Sequence, residues 1–157
     1  MWISPPPVAV NPDLAAAIEG HPLIARLLTQ RGLSTPEAAA AFLNPDRYTP
    51  APPAALPDLE FAAERLYRAI TRGEKIAVWG DFDADGQTST TLLVSVLRDL
   101  KADVTFYIPH RLTESHGIKV NSLDRLLDQH IHVLLTCDTG IAEHAAIAHA
   151  KSRDVTV

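Results

Sequence analysis

Four aspartates follow two apolar segments of the chain, and together they could bind metal ions. Asp81, Asp83 and Asp85 alternate with other residues between Gly80 and Gly86, and Asp138 follows the second apolar segment. Clustered carboxylates repel one another and raise each other's pKa values unless a cation neutralises them. Oxygen ligands suit Mg²⁺ or Mn²⁺ rather than zinc or copper. Two such ions suit the in-line hydrolysis of a phosphate ester.

The segments before these aspartates are short, fully apolar runs, which are typical of strands buried on both faces of a sheet. Predicted strands occupy residues 76–79, 104–108, 133–136 and 155–157, and predicted helices occupy 87–100, 121–129 and 142–151, with a further helix capped by Asp58. This alternation predicts βαβ units and therefore an α/β domain with a parallel sheet. Ligands of such sheets bind outside the carboxyl ends of the strands. We therefore expect the four aspartates to share one pocket at that edge.

Proline divides the chain into two parts, since 11 of the 12 prolines lie at or before Pro57. Helical spacing predicts one helix over residues 21–30, and a capping box at Ser34 predicts a second that ends near Leu43. An extended connector should follow over 44–57. We predict a small helical, Pro-rich region over residues 1–57 and the N-terminal part of an α/β domain over 58–157. Because the last strand stops without a closing helix, we expect an N-terminal fragment of a longer protein.

Composition and charge exclude several classes of protein. Hydrophobic residues make up 46% of the chain and charged residues 21%, as in ordinary globular proteins. The chain has neither an apolar run long enough for a membrane helix nor a secretory signal, and its single cysteine, Cys137, fits a reducing compartment. We therefore expect a cytoplasmic protein that does not bind membranes. The net charge of −5 argues against a purely electrostatic nucleic-acid binder, but not against an enzyme that meets nucleic acid through metal ions.

Other acidic motifs match this pattern only in part. The run from Asp81 to Gly86 matches the first half of an EF-hand loop, but Leu92 stands where that loop needs a glutamate. Haloacid-dehalogenase phosphatases place their first aspartate directly after the strand, whereas three residues intervene before Asp83. Response-regulator receivers carry their acid pair near the start of the chain. In a purely structural alternative, the acids only solvate a loop and cap a helix at Gln87.

Three segments combine into a family signature: residues 78–90, which contain the alternating aspartates, residues 107–111 (Tyr-Ile-Pro-His-Arg) and residues 136–141 (Thr-Cys-Asp-Thr-Gly-Ile). Together they resemble the DHH phosphoesterases, specifically the RecJ-type exonucleases, and residues 22–46 are similar to the N-terminal region of that family. His110 stands where the family commonly has Asn, and Ser115 and His116 stand where it has Gly-Tyr. The family's Asp-His-His motif is absent from the sequence, and we expect it beyond Val157.

The resemblance implies a 5′→3′ exonuclease that degrades single-stranded DNA by two-metal-ion phosphodiester hydrolysis, in DNA recombination and repair. It implies that Asp83 and Asp85 each bind one Mn²⁺ or Mg²⁺ and that Asp138 bridges the two ions. Asp81 either binds a metal ion directly or orients a residue that does. By the same resemblance, the partners are single-stranded DNA, a RecQ-type helicase and a single-strand-binding protein.

Five residues near the acids are candidates for contact with nucleic acid. Arg111 could hold a phosphate through two hydrogen bonds, or it could be a surface arginine paired with Glu114. Trp79 could stack on a base, or it could belong to the core. Ser89 could orient Asp85 or bind a phosphate, although its position near a helix start also suits capping. His110 and His116 are further candidates for DNA contact.

Two other functions stay open. The first is a DHH-family phosphodiesterase that acts on short oligonucleotides or cyclic dinucleotides; the second is a catalytically silent scaffold associated with a helicase. The helical region upstream of the first strand favours the exonuclease over the small-substrate enzyme, and the intact Asp83, Asp85 and Asp138 weigh against the scaffold. We expect the isolated 157 residues to be inactive, because a catalytic metal pair needs further ligands.

Overall fold

The computed structural model describes residues 3, 5–18 and 21–157, which form two compact units, Met1–Ala55 and Leu56–Val157. In the first unit, helices α1 (Pro12–Ile18), α2 (Pro22–Gln30) and α3 (Pro36–Leu43) pack around Leu14, Leu28 and Ala39. Each helix begins at a proline, whose fixed φ suits the first helical position. No helix in the described residues is long and apolar enough to cross a membrane.

The ends of these helices differ in detail from the predicted ones. The hydroxyl of Thr35, not that of Ser34, caps α3 by accepting the N–H of Ala38 at 3.2 Å. The connector contains two short 3₁₀ turns, Pro45–Arg47 and Pro53–Ala55, and so is not wholly extended. Asn44 explains the first turn, since its side chain accepts the N–H of Asp46 at 3.0 Å.

The second unit is an α/β domain with helices on both faces of a parallel sheet. Its elements are α4 (Leu59–Arg72), β1 (Ile76–Trp79), α5 (Ala84–Asp99), β2 (Val104–Tyr107), α6 (Val120–Leu127), β3 (Val133–Thr136) and α7 (His144–Ser152). The strand order is β2-β1-β3, and β1 pairs in parallel with both neighbours. A parallel bridge between Thr156 and Val133 adds the end of the chain beside β3. The predicted α/β class, with a helical region before the parallel sheet, is confirmed.

The core lies on both sides of β1, whose four residues are fully buried. Ala77 and Trp79 face a cluster with residues of α6 and α7, whereas Ile76 and Val78 face one with residues of α4 and α5. This division follows from the alternation of side chains along a strand. Burial of each large apolar side chain contributes about 1.5–3 kcal/mol. The sheet is thus a rigid base for the loops at its carboxyl edge.

Two helices, α5 and α6, start at other residues than predicted. The first follows the loop that carries the aspartates, and the second follows the loop after β2. Helix α5 begins at Ala84 rather than Gln87, because the side chain of Asp83 accepts the N–H of Gly86 at 3.0 Å and caps the helix. Helix α6 begins at Val120 after Lys119, one residue before the predicted start at residue 121. Asp83 is therefore a helix cap as well as a candidate ligand.

Candidate metal centre

The aspartates lie at the carboxyl edge of the sheet, where adjacent parallel strands end. Trp79, the last residue of β1, is paired with Thr136, the last residue of β3. The N–H of Cys137 donates to the carbonyl of Trp79 at 3.0 Å, which extends the pairing one residue past β3. Asp81 and Asp138 follow these paired residues by two positions each. The register therefore brings the two loops together, as the sequence predicts.

The turn from β1 into α5 is tight enough to require glycine at two positions. A Cβ atom at Gly80 would overlap the hydroxyl of Thr90, and one at Gly86 would overlap the backbone of Asp81. Thr90 is buried, and its hydroxyl donates to the carbonyl of Gly86 at 2.7 Å. This packing holds the loop that carries Asp81 and Asp83 against the first turn of α5, which carries Asp85.

Asp83 and Asp138 come from different loops, and each affects the pKa of the other, as neighbouring carboxylates do. The N–H of Gly86, above all, lowers the pKa of Asp83. Partial desolvation raises the pKa of the exposed Asp138 carboxyl, and the charges of Asp83, Asp85 and Asp81 raise it further. Mutual repulsion of this kind is what a bound cation would relieve.

Asp81 is held differently, because both of its carboxylate oxygens already accept hydrogen bonds. Oδ1 accepts the N–H of Phe82 at 2.7 Å, and Oδ2 lies 2.6 Å from Nδ1 of His116. The His116 ring also stacks on Phe82, with 4.3 Å between ring centroids. Asp81 is only 6% exposed. It therefore anchors the loop after β2 to the loop after β1.

The described residues contain no group of three or more His, Cys, Asp or Glu side chains already placed to hold one ion. Both oxygens of Asp81 and one oxygen of Asp83 are engaged in hydrogen bonds within the protein. Asp83, Asp85 and Asp138 are exposed, whereas Asp81 is buried. Carboxylate oxygens from two loops at one edge fit a divalent cation that prefers oxygen ligands, such as Mg²⁺ or Mn²⁺.

Arg111 belongs to the loop after β2 and extends toward the acids, not toward Glu114. Its guanidinium carbon lies 5.2 Å from the centroid of the Phe82 ring, within the range of a cation–π contact. Phe82 lies between Asp81 and Asp83, so the Arg111 side chain reaches the loop of the alternating aspartates. Glu114 instead accepts hydrogen bonds from three donors that belong to β2, the loop and α6.

The remaining sequence candidates are placed less favourably for contact with nucleic acid. Trp79 is fully buried beside Tyr107, with 4.5 Å between ring centroids, and this favours its assignment to the core. Ser89 donates to the carbonyl of Gly86 at 3.2 Å, which is a contact within α5. His110 is exposed and lines a cleft of about 630 Å³ with Lys119 and Arg125.

Sequence reasoning missed what His116 and Glu114 do. The sequence indicates His116 only as a departure from the family pattern and a candidate for DNA contact, and Glu114 only as a possible partner for Arg111. No local pattern reveals these roles. Asp81, which pairs with His116, and Ser122, which donates to Glu114, belong to elements that meet these residues only in the folded chain.

Comparison with known proteins identifies relatives of the second unit and of most of the chain. The family model described as "DHH family, N-terminal domain" matches residues 75–157. The "Single-stranded-DNA-specific exonuclease RecJ" of Bacillus subtilis is 37% identical over 138 residues, which cover 87% of this chain and 18% of that protein. The protein of the same name from Thermus thermophilus is 37% identical over 157 residues, which cover 99% of this chain and 22% of that protein. The chain thus spans about a fifth of the length of these curated relatives.

Solved structures that are similar to this chain are also of RecJ proteins. The "Crystal structure of exonuclease RecJ bound to manganese" superposes with a TM-score of 0.63 and 39% identity, covering 68% of this chain and 27% of that one. RecJ of Thermus thermophilus in complex with Mn²⁺ superposes with a TM-score of 0.58 and 30% identity, covering 94% of this chain and 21% of that one. The α/β fold described above is therefore shared with these nucleases.

Proposed function

The chain belongs to the DHH family, and on this premise we propose that it serves a metal-dependent exonuclease that degrades single-stranded DNA. The observation that carries the proposal is the meeting of Asp83 and Asp138 at the ends of two adjacent parallel strands. Relatives named as single-stranded-DNA-specific exonucleases align over most of this chain, which supports the same substrate class.

Asp83, Asp85 and Asp138 would hold two divalent ions, Mn²⁺ or Mg²⁺. Carboxylates on separate loops of one sheet edge support this assignment, as does binding of Mn²⁺ by related nucleases. When bound, such ions neutralise the clustered carboxylates, activate water and stabilise the charge that develops on the phosphate. Asp81 orients the loop from its hydrogen bonds to Phe82 and His116; direct binding of a metal by Asp81 would require one of those bonds to break.

Arg111 would bind a phosphate of the single strand next to the metal ligands. Its planar guanidinium can donate two parallel hydrogen bonds to phosphate oxygens, and its contact with Phe82 keeps it at the edge that carries the acids. His110, one residue earlier, would contribute a weaker contact, while Ser89 would act mainly through α5. Fully buried Trp79 would support β1 rather than stack on a base.

The wider assignments rest on the family. They comprise 5′→3′ polarity, a two-metal mechanism, a role in recombination and repair in the cytoplasm, and cooperation with a RecQ-type helicase and a single-strand-binding protein. Each extends the behaviour expected of RecJ-type exonucleases to this protein.

The test of the function is an exonuclease assay of the longer protein expected to contain this chain, on end-labelled single strands and on the matching duplex, with Mn²⁺ or with EDTA. We expect nucleotides to be released from the single strand with Mn²⁺. We expect no release in EDTA and none by the Asp138→Asn variant. Asp128→Asn is the matched control, since Asp128 is an exposed carboxylate that pairs with Arg153. Hydrolysis confined to dinucleotides or cyclic dinucleotides would contradict the proposal and favour the small-substrate alternative.

A further inference from the structure

The loop that carries Arg111 has little apolar contact to hold it in place. Arg111 is exposed, and the side chain of Leu112, which follows it, is 87% exposed. Among the described residues, the Arg111 guanidinium has no hydrogen-bond or ion-pair partner, and the contact that it makes is with the Phe82 ring. The position of Arg111 therefore depends on how the backbone of the loop is fixed.

Glu114 fixes that backbone by accepting hydrogen bonds from three elements. Oε1 accepts the hydroxyl of Tyr107, the last residue of β2, at 2.7 Å, and also the hydroxyl of Ser122 in α6. Oε2 accepts the N–H of His110 at 2.7 Å. Ser122 is buried and Tyr107 is half-buried. One carboxylate thus ties the loop to the sheet and to a helix.

The other end of the loop is tied down by His116. Its Nδ1 lies 2.6 Å from Asp81, and its ring stacks on Phe82. Arg111 stands over the same Phe82 ring. Glu114 and His116 together therefore fix the segment between His110 and His116, and the guanidinium that it presents lies over the ring of Phe82, the residue between Asp81 and Asp83.

We propose that Glu114 is a positioning residue that holds Arg111 ready to bind the terminal phosphate of a single strand. This inference rests on the proposed function, because it takes the phosphate contact of Arg111 from it. A guanidinium on a fixed loop loses less conformational freedom when it binds than one on a loose loop. Glu114 acts as an acceptor only: its hydrogen bonds, the one from the N–H of His110 foremost, lower its pKa to about 2.

A double-mutant cycle tests this role. Because Glu114 and Arg111 do not pair directly, coupling between their substitutions would mean that Glu114 acts through the position of Arg111. The measurement is the ratio of affinities for a 5′-phosphorylated and a 5′-hydroxyl single strand, by fluorescence anisotropy of the protein with labelled oligonucleotides. We expect Arg111→Ala to reduce this ratio by about tenfold, the loss of one charged hydrogen bond. Glu114→Ala should reduce it nearly as much, and the double variant should reduce it no further than Arg111→Ala.

Two variants separate positioning from general stability. Glu114→Gln should keep most of the ratio, since an amide can accept the N–H of His110 and donate to the two hydroxyl oxygens. Asp124→Ala is the matched control: Asp124 bonds to His149 at 2.7 Å and lies 3.9 Å from Arg153, a polar link between α6 and α7 that does not involve the loop. It should lower the melting temperature and leave the ratio unchanged.

Three results would overturn the inference: a folded Glu114→Ala protein that keeps the wild-type ratio, a double variant whose loss is the product of the single losses, or an equal loss in Asp124→Ala. If Glu114→Ala does not fold, Tyr107→Phe and Ser122→Ala decide instead, since each removes one donor and should give a partial loss. An Arg111→Ala variant with an unchanged ratio would overturn both this inference and the phosphate role of Arg111. Loss in Arg111→Ala alone would overturn only the inference about Glu114.

Discussion

Nδ1 of His116 lies 2.6 Å from Oδ2 of Asp81, which joins the loop after β2 to the loop after β1. The pair is asymmetric, since the side chain of His116 is 66% exposed and that of Asp81 only 8%. The buried Asp81 therefore holds the exposed His116 in place. In this way it fixes the relative position of the two loops that form the site.

Asp81 should matter more for stability than Asp85, which lies four residues later in the first turn of α5. Asp81→Ala leaves the N–H of Phe82 and the ring of His116 without their acceptor, so we expect a loss of about 1–3 kcal/mol in the free energy of unfolding. Asp85→Ala removes an exposed carboxylate and should change it by less than about 0.5 kcal/mol. Urea denaturation of both variants measures this. Equal losses would contradict the anchoring role of Asp81.

Asp138→Asn should stabilise the metal-free protein. It removes one of several carboxylates that repel each other, and Asn tolerates the left-handed backbone of this position, where φ is 57°. We expect its melting temperature in EDTA to equal or exceed that of the wild type. Mn²⁺ should raise the melting temperature of the wild type and leave that of Asp138→Asn unchanged. A variant that melts lower in EDTA and still responds to Mn²⁺ would show that Asp138 is structural.

Gly86→Ala should distort the acidic loop, because the added methyl group would overlap the backbone of Asp81. Overpacking of this kind costs about 1–3 kcal/mol. Gln87→Ala, one position later in the same helix, is the control: its side chain donates to the carbonyl of Phe82 from an exposed position. Thermal unfolding followed by circular dichroism compares the two. A Gly86→Ala protein as stable as Gln87→Ala would mean that the turn can open without cost.

Glu114 should make stability depend on pH in the acid range. Its pKa falls from 4.5 to about 2 in the folded protein, so its contribution is complete above pH 4.5 and is lost as the pH falls toward 2. Because the group is partly exposed, we expect this contribution to be of order 1–2 kcal/mol after solvent screening. The difference in unfolding free energy between the wild type and Glu114→Gln, measured from pH 2 to 6, should shrink as the pH falls. A constant difference would mean that Glu114 titrates normally.

The strands were predictable because each is a short apolar run between polar segments. The predicted bounds of β1 and β3 agree with the structure, and the parallel sheet follows from the helices between them. The edge that carries the aspartates could also be predicted, since it depends only on strand direction. The start of α5 could not be predicted, because nothing in the local sequence shows whether Asp83 caps a helix or binds a metal ion. In the structure Asp83 caps α5 and is also placed at the candidate metal site.

The contacts between loops could not be predicted from local patterns. His116 reaches Asp81 across 35 positions of the sequence, and this meeting depends on the strand order β2-β1-β3. The burial of Trp79 was open from the sequence, because an aromatic residue at a strand end suits either a core or a binding face. The structure places it on the same face of β1 as Ala77, packed against residues of α6 and α7.

The most direct test of the metal centre is to locate Mn²⁺ by its paramagnetic broadening of backbone amide signals in the ¹⁵N-labelled protein. We predict broadening confined to the loops after β1 and β3, with Phe82 and Thr139 among the first signals lost. Asp83→Asn and Asp138→Asn should abolish it, and Asp128→Asn should leave it unchanged. Broadening that is centred elsewhere, or that persists in both ligand variants, would contradict the assignment of these carboxylates as the metal ligands.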